Sequence, residues 1–108
     1  MKKLVVISVA FLIAGAVSVR AADAKENWDK SCKKCHGPEG KGDTTIGKKL
    51  EIKDFTDAKY QASLKDDAML KAIKEGVKDG EKVRMKAAEG LSDEEMKALV
   101  TYVRAFKK

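Results

Sequence analysis

The chain has 108 residues, 37% of them charged, with 23 Lys and Arg against 17 Asp and Glu and a formal net charge of +6. Its length fits one domain. Acids and lysines are interleaved, and no block of like charge or cluster of aromatic and basic residues marks a nucleic-acid interface.

The chain opens on a basic Met1-Lys2-Lys3, followed by Leu4 to Val19, which carries no charge, and then by Val19-Arg20-Ala21 with small side chains at the two positions a signal peptidase reads. This pattern predicts a secretory signal peptide over residues 1–21. Cleavage is expected after Ala21, with Ala22-Asp23-Ala24 offering an alternative site. The uncharged run of 16 residues is slightly short for a membrane span, and an uncleaved N-terminal anchor is the alternative reading. Cleavage removes Lys2, Lys3 and Arg20 but no acid, so the net charge falls from +6 to +3 over the remaining 87 residues. The expectation is a mature domain of residues 22–108 delivered to the periplasm.

With Trp28, Phe55, Tyr60, Tyr102 and Phe106 as its only aromatics, the mature chain has a thin core, and small domains of this kind usually need a staple. Residues 23–33 lack Gly and Pro and read as a helix, on which Trp28 shares a face with Cys32 four residues later. Cys32-Lys33-Lys34-Cys35-His36 then forms a C-x-x-C-H run, the attachment signature of a c-type haem. Each thiol can add across one vinyl group of the porphyrin, and the next residue is left beneath the ring with an imidazole nitrogen aimed at the iron. The motif predicts one haem c, covalently attached through Cys32 and Cys35, with His36 as the proximal ligand. It would also serve as the apolar plate on which the helices pack.

A redox dithiol of the thioredoxin type would need a βαβ surround, and no strong strand pattern is present. A closed zinc site would need four ligands, whereas Cys32, Cys35 and His36 exhaust the chain's Cys and His. Two buried cysteines beside an ordinary histidine is the plainest alternative.

Residues 36–43 hold three glycines and the only proline and read as a turn-rich loop. Residues 44–55 show no clean period and suggest irregular chain or short helical turns. Ser63 is the expected N-cap of a middle helix with Ala68, Met69, Ala72 and Ile73 on one face and Gly76 just past its end. Residues 77–90 read as a second long loop. Ser92-Asp93-Glu94-Glu95 has the form of a capping box, and Met96, Leu99, Val100, Val103 and Phe106 form an amphipathic stripe after it. With a single histidine, the second axial ligand falls to a thioether. Met69 and Met96 sit on helical faces where Met usually fills a core, whereas no helical period explains Met85 in its loop.

With these pieces in order, residues 22–108 resemble a class I c-type cytochrome. The likeness rests on Trp28 four residues before the first cysteine, Cys32-Lys33-Lys34-Cys35-His36-Gly37, the helix end Ala72-Ile73-Lys74-Glu75-Gly76, Met85, and Leu91-Ser92-Asp93-Glu94-Glu95 leading into Ala98 to Arg104. The resemblance implies an all-α, compact fold of three to four helices around one haem, with the first and last helices crossing and Met85 as distal ligand. Two departures stand out. Lys86 follows Met85 where the family commonly has Pro, and Ile46-Gly47-Lys48-Lys49-Leu50 lacks the Pro whose carbonyl often accepts from the ligand imidazole. A backbone carbonyl near Gly47 or Lys48 is the expected substitute.

The function implied is a soluble, monomeric one-electron carrier, not an enzyme, meeting redox donor and acceptor proteins through small transient interfaces. Lys33, Lys34, Lys48, Lys49 and Lys86 lie near the predicted ligands and would steer an acidic partner. Two further readings are a gas-sensing module with an open iron site, and a tethered subunit serving a membrane oxidoreductase.

Overall fold

The computed structural model describes residues 21–108, with side chains from Asp23 onward. The predicted signal segment therefore lies outside the described residues, except for Ala21, where the first helix begins. Among the described residues, six helices and one two-stranded hairpin follow in chain order: α1 (Ala21–Ser31), α2 (Lys33–His36), α3 (Thr45–Lys49), α4 (Ala58–Ser63), α5 (Asp66–Glu75), β1 (Val77–Asp79), β2 (Lys82–Met85) and α6 (Asp93–Arg104). No helix among them is long and apolar enough to cross a membrane.

The predominance of helix matches the expected fold class. Three helices are long, and the other three are single turns or little more that shape the loops. The core is built where α1, α5 and α6 meet. It consists of Trp28 and Cys32, Met69 and Ile73 from α5, and Met96, Leu99, Val100 and Val103 from α6. The stripe read in the last helix is thus the buried one, and each such side chain is worth about 1.5–3 kcal/mol when fully removed from water. The predicted capping box at its start is present, with Ser92 Oγ accepting from Glu95 N at 3.1 Å and Ser92 N donating to Glu95 Oε1 at 3.1 Å.

Three local expectations are corrected. The first helix does not run unbroken to Lys33. It breaks at Cys32, and a separate turn, α2, carries Cys35 and His36. Ser63 does not start the middle helix. It ends α4, its hydroxyl donating to Tyr60 O at 2.6 Å, and α5 begins at Asp66 with no side-chain cap. The capping residue lies upstream, where the Asp57 carboxylate accepts from Lys59 N and Tyr60 N and starts α4.

Residues 77–90 are not a plain loop. Val77–Asp79 and Lys82–Met85 pair antiparallel, with Val77 opposite Met85 and a register irregularity beside it. Gly80 makes the turn at φ 61°. Both strands are short and largely exposed, so no buried face imposed an alternating pattern on them. The Asp79-Gly80 pair is a hairpin signal that the sequence did contain.

Candidate haem site

The Cys32–His36 turn is tied down by groups on both sides. Cys32 N donates to Trp28 O at 2.8 Å, and His36 N donates to Cys32 O at 3.0 Å. The indole of Trp28, 2% exposed, donates from Nε1 to Gly37 O at 3.0 Å. Trp28 thus packs the core while holding the residue after His36 in place. Gly37 leaves the helical turn at φ 85°, a left-handed value that favours glycine. On the other side, Thr44 Oγ1 donates to Cys35 O at 2.6 Å and accepts from Gly47 N at 2.8 Å. Thr44 is also the N-cap of α3, so one hydroxyl starts that helix and pins it to the turn.

Gly47 is required by a close approach. A Cβ there would stand 2.5 Å from both Cys35 O and Gly42 O. The expected hydrogen bond from the imidazole to a carbonyl near Gly47 or Lys48 is not formed. Gly47 O accepts from Ile52 N at 2.9 Å and Lys48 O from Glu51 N at 3.2 Å, because these carbonyls close the end of the short helix. His36 Nδ1 is fully buried without a hydrogen-bond partner.

Cys32, His36 and Met85 converge on one cavity of about 70 Å³, whose remaining wall is apolar and includes Trp28, Phe55, Met69 and Leu99. Cys35, half-buried, sits in the same turn as His36 and is a free thiol, as is Cys32. Met85 reaches the cavity from the end of β2. Met69 reaches it from α5, so the structure brings two thioethers to the site, while Met96 lies in the core outside the cavity wall. The His36 ring stacks on Phe55 at a centroid distance of 5.0 Å and tilts against Trp28 at 5.7 Å.

Burial keeps Cys32 and His36 neutral. Desolvation, with the nearby Cys35 adding to it, pushes the Cys32 thiol up to about 11. That is opposite to the lowered thiol of a reactive redox dithiol. Burial also lowers the His36 pKa from its ordinary value of 6.5, which favours the neutral imidazole with a free lone pair.

Sequence reasoning missed several positioning groups. Thr44 carried a signal, as a Thr just ahead of a helix is a preferred N-cap. Gly47 and Arg84 carried none, because their roles depend on segments distant in the chain. Arg84 Nη2 donates to Leu50 O at 2.7 Å and ties β2 to the loop after α3.

Comparison with known proteins places this geometry in context. Residues 19–103 match the family described as cytochrome c oxidase, cbb3-type, subunit III. Among solved structures, the chain is similar to the KustC0563 c-type cytochrome, with 37% identity and a TM-score of 0.67 over 79% of this chain and 98% of that one. It is similarly close to a tyrosine-to-phenylalanine mutant of Kustc0563, at 37% identity and a TM-score of 0.65 over 79% of this chain and 99% of that one. No curated protein matches. The family implies covalently bound haem c and a haem-based electron carrier. The residues here fit that group: an apolar cavity, two free thiols in one turn, a neutral imidazole with an unpartnered buried nitrogen, and thioethers at the same cavity. With its family match, its structural neighbours and a site of fitting chemistry, this chain belongs to the cbb3-type cytochrome c oxidase subunit III family and is a small c-type cytochrome.

Proposed function

We propose that the protein is a monohaem, exported one-electron carrier in which Cys32 and Cys35 form the two thioether links and His36 and Met85 are the axial ligands. When bound, the haem supplies the Fe(II)/Fe(III) couple. The observation that carries the reading is the convergence of Cys32, His36 and Met85 on one apolar cavity. His plus Met ligation raises the potential of a haem iron, and apolar walls act in the same direction by disfavouring the added charge of the ferric state.

Met85 is preferred over Met69 because it ends an exposed hairpin and is only half-buried at the edge of the core, whereas Met69 is a buried member of that core on α5. No proton transfer is needed, and the site offers no pair of opposed carboxylates for one. Absorption spectra of wild type and Met85→Ala test the assignment. Wild type is expected to show sharp reduced c-type bands and a weak long-wavelength iron–sulfur band when oxidised, and the variant to lose only the latter. Loss of the same band in Met69→Ala, with Met85→Ala unchanged, transfers the ligand to α5.

The working place of the carrier is the periplasm, and its partners are transient redox proteins, including a membrane oxidoreductase. Lys33, Lys34, Lys48, Lys49 and Lys86 are exposed and lie beside the site residues, so they would steer an acidic partner. Charge removal in pairs, read by stopped-flow electron exchange, is expected to slow association several-fold at low salt and to have no effect at high salt. Equal rates at both salts would exclude steering.

A further inference from the structure

Met85 borders two further cavities besides the apolar one. One, about 630 Å³, is walled by Ser31, Glu75, Lys78, Lys86 and Glu89, so its charges cancel, and Ser31 places it at the attachment edge beside Cys32. The other, about 240 Å³, shares His36, Phe55 and Met85 with the apolar cavity and is otherwise lined by residues 50–53, Tyr60, Val77 and Arg84. Its charged groups are Arg84 and Lys53 against Glu51, which leaves it positive. A c-type haem is asymmetric: the vinyl carbons that meet the cysteines lie on one edge, and its two propionate carboxylates lie on the edge opposite.

Resting on the function proposed above, we infer that the cavity between residues 50–53, Tyr60 and Arg84 receives the haem carboxylates, with Arg84 as their principal cationic anchor and Lys53 beside it. The cavity has neither thiol nor Ser31 in its wall, shares His36, Phe55 and Met85 with the apolar cavity, and is the positively charged one of the two outer cavities. Arg84 is half-buried and already oriented by its bond to Leu50 O, so its remaining guanidinium donors are held in place. The Tyr60 hydroxyl offers a neutral donor, and burial raises its pKa from the ordinary 10.0, which keeps it protonated. The other titratable groups facing this cavity are His36 and Glu51.

The test uses the haem-loaded protein with isotope-labelled propionate carboxylate carbons, followed by NMR through a pH titration, in wild type, Arg84→Gln, Lys53→Gln and Lys78→Gln. The reduced and oxidised spectra of each variant are read first. Absence of covalent haem or of axial ligation there would overturn the underlying function and not the carboxylate site. In correctly ligated protein, Arg84→Gln is expected to move a carboxylate titration up by about 1 unit or more and to lower the reduction potential, since a positive charge disfavours the ferric state. Lys53→Gln moves both in the same direction by less and keeps the Leu50 tie intact, so it serves if Arg84→Gln fails to fold. Lys78→Gln, in the opposite cavity, leaves the carboxylate resonances unchanged. Unmoved resonances in both Arg84→Gln and Lys53→Gln, or an equal shift in Lys78→Gln, overturn the assignment.

Discussion

At the scale of single residues, Trp28 shows how packing and chemistry share one side chain. It fills the core against Tyr102 and Phe106, at centroid distances of 5.5 and 5.0 Å, and its indole nitrogen holds the Gly37 carbonyl directly after His36. Trp28→Phe keeps most of the apolar contact but removes the indole donor, leaving the Gly37 carbonyl only the longer bond from Gly40 N at 3.3 Å. The expected cost is about 0.5–1.5 kcal/mol, read as a lower denaturant midpoint with an unchanged slope. The importance of Trp28 was legible in its spacing from Cys32, because both lie on one helical face. Its hydrogen-bond acceptor was not, because Gly37 comes into reach only after the chain breaks at Cys32 and turns through α2.

At the scale of elements, the ends of the helices were more legible than the segments between them. The Ser92 box was readable because capping is a local exchange of hydrogen bonds within four residues. Glu95 serves twice, accepting from Ser92 N at 3.1 Å and from Asn27 Nδ2 at 3.0 Å, which joins α6 to α1. The backbone bond from Ser92, and then the Asn27 amide, hold its pKa below the ordinary 4.5. A carboxylate lowered on folding adds stability that is present above the unfolded pKa and lost as pH falls through the folded one. Wild type is therefore expected to lose its stability advantage over Glu95→Ala as pH drops below about 4.5, as measured by thermal melts from about pH 7 to about pH 3. A constant difference across that range would exclude this role for the carboxylate.

The hairpin is the element that sequence reading overlooked, and it carries Met85. Its strands run three and four residues with mostly exposed side chains, too short and too polar to impose a period. Gly76 joins it to α5 at φ 77°, and a Cβ there would stand 2.6 Å from Met85 O. The end of α5 and the position of the thioether are therefore fixed together by one glycine.

At the scale of the whole molecule, a buried polar network closes the fold on the side of α4. Gln61, 2% exposed, donates from Nε2 to Phe55 O at 2.7 Å and to Val103 O at 2.8 Å. The Arg104 guanidinium reaches Gln61 O, Leu64 O at 2.6 Å and the Asp66 carboxylate at 2.9 Å. One arginine on α6 thus reaches the Leu64 carbonyl and the Gln61 carbonyl, which also accepts from Leu64 N at 3.1 Å. Hydrogen bonds to a charged group contribute about 1.5–3 kcal/mol, so Arg104→Ala is expected to lower the unfolding free energy by at least that amount. The haem bands should stay in place, since neither Arg104 nor Gln61 lines the site. Equal denaturation midpoints for the two proteins would exclude a stabilising role.

The sequence by itself determined the cofactor chemistry, the helical class, the capping of the last helix and the identity of its buried face. Each of these is written in spacings of a few residues, where covalent geometry and helical periodicity leave little freedom. Only the tertiary structure decided that Met69 as well as Met85 reaches the cavity, that a hairpin presents Met85, that Thr44 and Gly47 brace the Cys32–His36 turn, and that Arg84 and Lys53 make one outer cavity positive. These are meetings of segments far apart in the chain, set by how the apolar faces of α1, α5 and α6 pack, and no local pattern encodes them.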